Sequence, residues 1–242
     1  MVLLAQISDL HLDGSARATA RARRVVDYLD GLQRPVDALL VTGDLADHGA
    51  EAEYEEVAQL FATVPVPVLL CPGNHDVRGP YRKALLGEEP TGGPINRRHT
   101  VGGVDILMVD GTVPGRGHGF LDDETVGWIR DHLRDEMPTL IALHHPPAPM
   151  HEPFIDGILL HEPDRLAALV RDRPQVIAVL AGHAHTACAT TFAGKPLIVA
   201  PAVTFALRMA WEGGSLDNWA QPPGVAFHVV EDDRITTHFR VA

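Results

Sequence analysis

Val2-Leu3-Leu4-Ala5-Gln6-Ile7-Ser8-Asp9-Leu10-His11, taken with Val36-Asp37-Ala38-Leu39-Leu40-Val41-Thr42-Gly43-Asp44, is the part of the chain that decides the fold. Each stretch is a short apolar, β-branched run that stops abruptly at polar residues, the pattern of a buried strand. Between them, Ala16 to Leu29 carries apolar residues near the 3.6-residue period of a helix. Further strand-like runs lie at Val66 to Leu70, Val104 to Val109, Leu140 to Leu143, Val176 to Leu180 and Leu197 to Val199. Helical periodicity recurs at Glu51 to Phe61, Asp122 to Leu133 and Pro163 to Val170. Strand and helix alternate, which indicates α/β architecture with both faces of the sheet covered.

Toward the C-terminus the pattern changes to strand after strand, Val225 to Val230 and Ile235 to Val241, joined by a hairpin around Glu231, Asp232 and Asp233. Two sheets packed face to face with helices outside would use both patterns. No internal repeat or low-complexity linker divides the chain. The Gly/Pro-rich segments Gly87 to Pro94 and Val113 to Gly119 read as loops inside one domain spanning residues 1–242. Residues 203–224 read as a long, lid-like connection before the closing hairpin.

Composition narrows the function. The chain has 242 residues, 45% hydrophobic, with 20 Lys+Arg against 32 Asp+Glu, so a disordered or fibrous protein is excluded. No apolar run approaches the roughly 18 residues that a bilayer span needs, so no membrane insertion is expected. The N-terminus has no basic residue ahead of its apolar run, unlike a secretory signal, and cytoplasmic residence is the expectation. Cys71 and Cys188 are too few for a disulfide framework. The net charge of −12 opposes a long polyanion, so no long nucleic acid is expected as a partner.

Five of the apolar runs share one property: they end in candidate metal ligands. The first ends in Asp9-Leu10-His11, the second in Gly43-Asp44, and the third in Gly73-Asn74-His75-Asp76. Two later ones end in His144-His145-Pro146-Pro147 and Gly182-His183-Ala184-His185. In extended chain, residues two apart project to the same side, so Asp9 and His11 can grip one cation. Alone that triplet also suits a polar turn, with Asp capping the next helix. Five strand ends together are stronger, because parallel strands gather their C-terminal ends at one rim, where α/β folds place their sites.

The series DLH, GD, GNHD, HHPP and GHAH, in that order, resembles the calcineurin-like metallophosphoesterases, whose motifs run D-x-H, GD, GNH[DE], H and GHxH. Residues Val109 to Ile129 are similar to the corresponding stretch of the cyclic-nucleotide (class III) and glycerophosphodiester phosphodiesterase branch. The resemblance implies a four-layer α/β/β/α sandwich of two mixed sheets flanked by helices, with two metal ions at the rim. By motif position Asp9, His11 and His185 would hold one ion, Asn74, His144 and His183 the other, and Asp44 would bridge them. His144 is preferred to its neighbour His145 because the family ligand stands two places before Pro146.

Imidazole, carboxylate and amide oxygen without thiolate suit two divalent or mixed-valence ions such as Mn, Fe, Zn or Co. Asn74, as a neutral ligand, would keep the shell positive enough to draw an anionic phosphate into an acidic protein. His75 is expected to face the substrate as a catalytic residue, stabilising the phosphoryl group or protonating the leaving alkoxide. Asp47 falls where some relatives keep an Asp that orients this histidine. His48, His118 and His151 read as surface or loop histidines, with His118 in a loop that could line the pocket. Arg17, Arg21, Arg23 and Arg24 read as a solvated helix face. Phe205, Trp211 and Trp219 are open to three readings: a lid, a homodimer contact or core packing.

The expected function is hydrolysis of a small phosphodiester, a cyclic nucleotide or glycerophosphodiester, by in-line attack of a metal-bridging hydroxide on phosphorus. The alternatives are a phosphomonoesterase or nucleotide pyrophosphatase on the same ions, and a catalytically silent metal-binding scaffold for a protein partner.

Overall fold

The computed structural model describes residues 1–242. The first half runs β1 (Val2–Ile7), α1 (Ala16–Asp30), β2 (Ala38–Thr42), α2 (Glu51–Phe61), β3 (Val68–Cys71), α3 (Arg78–Tyr81), β4 (Arg97–Val101), β5 (Val104–Val109), β6 (Gly119–Phe120) and α4 (Asp123–His132). The second half continues with β7 (Thr139–Leu143), α5 (Pro153–Asp156), β8 (Leu160–His161), α6 (Asp164–Val170), β9 (Val176–Ala181), β10 (Cys188–Phe192) and β11 (Lys195–Val199). It closes with β12 (Ala206–Leu207), β13 (Asp217–Asn218), β14 (Gly224–Glu231) and β15 (Arg234–Val241).

The strands form two large mixed sheets, β15-β14-β1-β2-β3 and β10-β11-β9-β7-β5-β4. The central strands β1, β2 and β3 are parallel, as are β5, β7, β9 and β11. Each central strand is apolar on both faces, and alternation divides its side chains between two cores. Leu4, Ala38, Leu40, Ile106, Met108, Leu140, Ala142 and Leu180 join a layer of 16 buried residues between the sheets. Ala5, Leu39 and Val41 instead pack with Val25 and Leu29 of α1 and Val57 of α2. Leu107, Ile141, Leu143 and Val179 pack with Ile129 of α4 and Leu166 of α6. Three cores separate four layers, helix, sheet, sheet, helix, as the resemblance implied. Fully burying a leucine contributes about 1.5–3 kcal/mol, so the layer between the sheets is what docks them.

The edges are made differently. Three antiparallel hairpins turn over two residues, Gly102-Gly103, Ala193-Gly194 and Asp232-Asp233, all with positive φ. This turn matches the natural twist of paired strands. Edge strands β4 and β10 do not show in the sequence as apolar runs, because β4 buries none of its side chains fully and β10 only Phe192. No helix of the structure is long and apolar enough to cross a membrane.

Candidate dinuclear metal centre

The C-terminal ends of β1, β2 and β3 from one sheet and β7 and β9 from the other converge at one rim. Ligand atoms of Asp9, His11 and His185 lie within 4.8 Å of one another, as do those of Asp9, Asp44 and His144. His144 Nε2 is 3.1 Å from Asn74 Oδ1 and 3.2 Å from His183 Nδ1. Asp44 Oδ2 stands between the two groups, 3.4 Å from His11 Nε2 and 3.3 Å from His144 Nε2. All seven residues named as ligands from the sequence are therefore brought together.

Their hydrogen bonds show that this arrangement fits cations. His11 Nδ1 donates to Asp47 Oδ1 at 2.7 Å, His144 Nδ1 to the Thr42 carbonyl at 2.7 Å, and His185 Nδ1 to the Phe205 carbonyl at 2.9 Å. Each ring thus spends its N–H outside the site and turns the lone pair of Nε2 inward. The inward lone pairs of His11 and His185 then face each other at 3.2 Å, and His144 Nε2 lies 3.2 Å from Nδ1 of His183, whose own Nε2 is buried without a partner. Two lone pairs at that distance repel unless a positive charge lies between them.

The titration directions agree. Burial pushes Asp44 up, but His144, His11 and His75 outweigh it and hold the carboxyl well below its usual range. Burial likewise opposes protonation of His144, yet Asp44 and Asp9 push it up to about 9. Burial keeps His183 and His185 low. Against burial, Asp47, Asp44 and Asp9 raise His11 as well, so the carboxylates draw positive charge to His11 and His144 while His183 and His185 stay neutral donors.

The local backbone differs from the extended chain expected for the Asp-x-His triplet. Asp9 and His11 have φ of 57° and 45°, Asp44 50°, and His183 and His185 67° and 49°, all in the left-handed region. Both members of the triplet still reach the site, but through a left-handed turn tied to the next strand end: Asp9 N–H donates to Gly43 O and His11 N–H to Asp44 O. Such conformations cost about 1–3 kcal/mol each and persist only where the surroundings enforce them. Glycine makes room for this. A Cβ on Gly43, whose φ is 93°, would stand 2.4 Å from His144 Nδ1, and one on Gly73 would stand 2.2 Å from Asp44 Oδ1.

Asp47 does not orient His75 in the manner expected. Its carboxylate bonds to His11, and lies 3.6 Å from His75 Nδ1; the group that takes the His75 Nδ1 proton is the Asp47 main-chain carbonyl, at 2.8 Å. The His75 ring is 41% exposed, 4.5 Å edge-on from that of His11, and its amide N–H donates to Asp44 Oδ1. His145 is buried beside His183 and bonds through Nε2 to the Gly117 carbonyl. His118 stacks flat on His161.

Asp76, the last residue of the GNHD motif, is buried and accepts the amide N–H groups of Gly73, Leu45 and Ala46. It ties the second and third ligand loops together, and burial with the nearby Asp44 pushes it up to about 6. The arginines of α1 are not all solvated. Arg21 donates to the carbonyls of Val203 and Gln221, and Arg17 lies 3.5 Å over the Trp219 ring. Trp219 packs on Phe205, and Phe205 on His185, so the 203–224 connection is strapped to α1 and walls one side of the site. Trp211 is exposed.

The model of the calcineurin-like phosphoesterase family matches residues 2–187, the span that contains all seven rim residues. The chain belongs to this family. It is therefore an enzyme of the phosphoester hydrolase class. A probable cyclic nucleotide phosphodiesterase of Rhodococcus erythropolis is 34% identical over 87% of this chain and 74% of its own length. The glycerophosphodiester phosphodiesterase GpdQ of Enterobacter lignolyticus is 31% identical over 94% of this chain and 86% of its own. Among solved structures, a dimetal phosphatase from Danio rerio superposes with a TM-score of 0.75 over 99% of this chain and 96% of that one. At 13% identity it shares the fold.

Proposed function

We propose that this phosphoesterase hydrolyses a small phosphodiester, a cyclic nucleotide or a glycerophosphodiester, at two divalent ions held at the rim. Asp9, His11 and His185 would hold one ion, Asn74, His144 and His183 the other, and Asp44 both. The observation that carries this reading is the position of Asp44 Oδ2, nearly equidistant from an inward nitrogen of each group. Two bound divalent ions supply activation of water near neutral pH and charge neutralisation at phosphorus. His75 donates Nδ1–H to the Asp47 carbonyl, so Nε2 is the atom through which it would hold a proton for the departing alkoxide. The diester preference is supported by the named activities of the two relatives, each matched over most of its length.

The test is a panel of 3′,5′- and 2′,3′-cyclic nucleotides, glycerophosphodiesters and monoesters with Mn-loaded protein. Diesters should be turned over at least ten times faster than the corresponding monoesters. A preference for monoesters would move the reading to a phosphomonoesterase, and no turnover of any ester in protein holding two ions would leave a scaffold.

Replacing His183 or His185 by alanine should produce different lesions, because the two side chains reach opposite sides of Asp44. Each variant should keep one ion more firmly than the other. Anomalous scattering from metal-soaked crystals of both variants checks this, and loss of the same ion from both would refute the division of ligands.

A further inference from the structure

Gln6 is a fully buried amide in an otherwise apolar strand. Its Nε2 lies 2.9 Å from the Ala181 carbonyl and 2.9 Å from Thr42 Oγ1. A carbonyl can only accept, so the nitrogen end of the amide must face Ala181, which turns Oε1 toward His228. His228 Nε2, 3.0 Å away, then has to be the donor. Its Nδ1 is left with a lone pair, which takes the Thr237 hydroxyl at 2.9 Å. Burial pushes His228 down to about 3, so the ring stays neutral and the chain of donors keeps one direction: Thr237 to His228, His228 to Gln6, Gln6 to Thr42 and Ala181.

Both acceptors at the end of this chain belong to residues that support the metal centre. The Thr42 carbonyl holds the Nδ1 proton of His144 and the Ser8 hydroxyl. Ala181 leads directly into Gly182 and His183, and the Gly182 N–H donates to the His144 carbonyl. Gln6 sits on β1 and Ala181 on β9, so its amide crosses from one sheet to the other just beneath the rim. The crossing matters because the candidate ligands are divided between the sheets: Asp9, His11, Asp44 and Asn74 follow strands of one, His144, His183 and His185 strands of the other. Apolar packing docks two sheets without fixing their register, since it is non-directional. The Gln6–Ala181 bond is directional and crosses between the sheets, and the amide that makes it is aimed by its two bonds to Thr42 and His228 within its own sheet.

We propose that Gln6 and His228 are positioning residues that hold the two halves of the metal site at the separation two ions require. This rests on the proposed two-ion site, and the experiment separates the two claims. Mn(II) is titrated calorimetrically into metal-free wild type, Gln6→Met, His228→Phe, His228→Gln, Thr237→Val and Ile106→Ala, each with its melting temperature. Ile106 lies in the same layer between the sheets but takes no part in the network.

Wild type should bind two Mn ions. Gln6→Met and His228→Phe should weaken at least one by about 10- to 100-fold, the usual effect of removing a group that orients a ligand. His228→Gln, which restores a donor toward Oε1, should recover most of the affinity. Thr237→Val, on the outermost strand, should fold normally and lose affinity in the same direction by less. Ile106→Ala should lower the melting temperature with affinity unchanged. Wild-type affinity in His228→Phe and Thr237→Val overturns the proposal, and so does an equal loss in Ile106→Ala, which would make the effect one of general stability. Failure of wild type to bind two ions removes the site itself.

Discussion

Asp44→Ala should lower kcat/KM by about 10³-fold or more and release both ions together. The two ions supply several kcal/mol of charge stabilisation, and each 1.4 kcal/mol is a factor of ten in rate. In the proposed site one carboxylate oxygen would serve both groups of ligands, so its removal would take a ligand from each ion. The other oxygen also accepts the His75 amide N–H, so the substitution loosens the loop that carries His75. Asp44→Asn separates these effects, since it keeps an oxygen and the loop contact while losing the charge. Metal content by mass spectrometry and turnover of bis(p-nitrophenyl) phosphate should fall in parallel for Asp44→Ala and less for Asp44→Asn. Full metal content in Asp44→Ala would show that this residue is not the bridge.

His75→Ala should keep both ions and lose about 10² to 10⁴ in turnover on a natural alkyl diester. The size of the loss should depend on the leaving group. A p-nitrophenolate departs without help, whereas a ribose or glycerol alkoxide needs a proton as the bond to phosphorus breaks. The variant should therefore be impaired far more on a cyclic nucleotide or glycerophosphodiester than on the nitrophenyl ester. Equal loss on both would assign His75 to stabilising the phosphoryl oxygens. Asp47→Asn offers a contrast: its main-chain carbonyl still holds His75, but the carboxylate that fixes His11 is gone, so the change belongs to metal binding.

The seven rim residues were legible in the sequence because each follows an apolar run, and strand ends in a parallel sheet have one place to go. The division into two groups was implied by the resemblance of the motif series to the family. What could not be read are the features that depend on distant partners. The pairing of Asp47 with His11 rather than His75 is decided by a left-handed turn that no residue type announces. Gln6 stands inside an apolar run, and nothing in that run announces the Ala181 carbonyl it reaches. His228 lies within the Val225 to Val230 run, and its partner is 222 positions away. The straps from Arg17 and Arg21 to the 203–224 connection were hidden for the same reason, and β4 and β10 were too polar to stand out.

The left-handed backbone at five of the seven rim residues, Asp9, His11, Asp44, His183 and His185, also sets ligation against stability. Glycine would occupy those positions at lower backbone cost. The rim therefore carries side chains that a relaxed turn would not choose, and what they add there is their donor atoms.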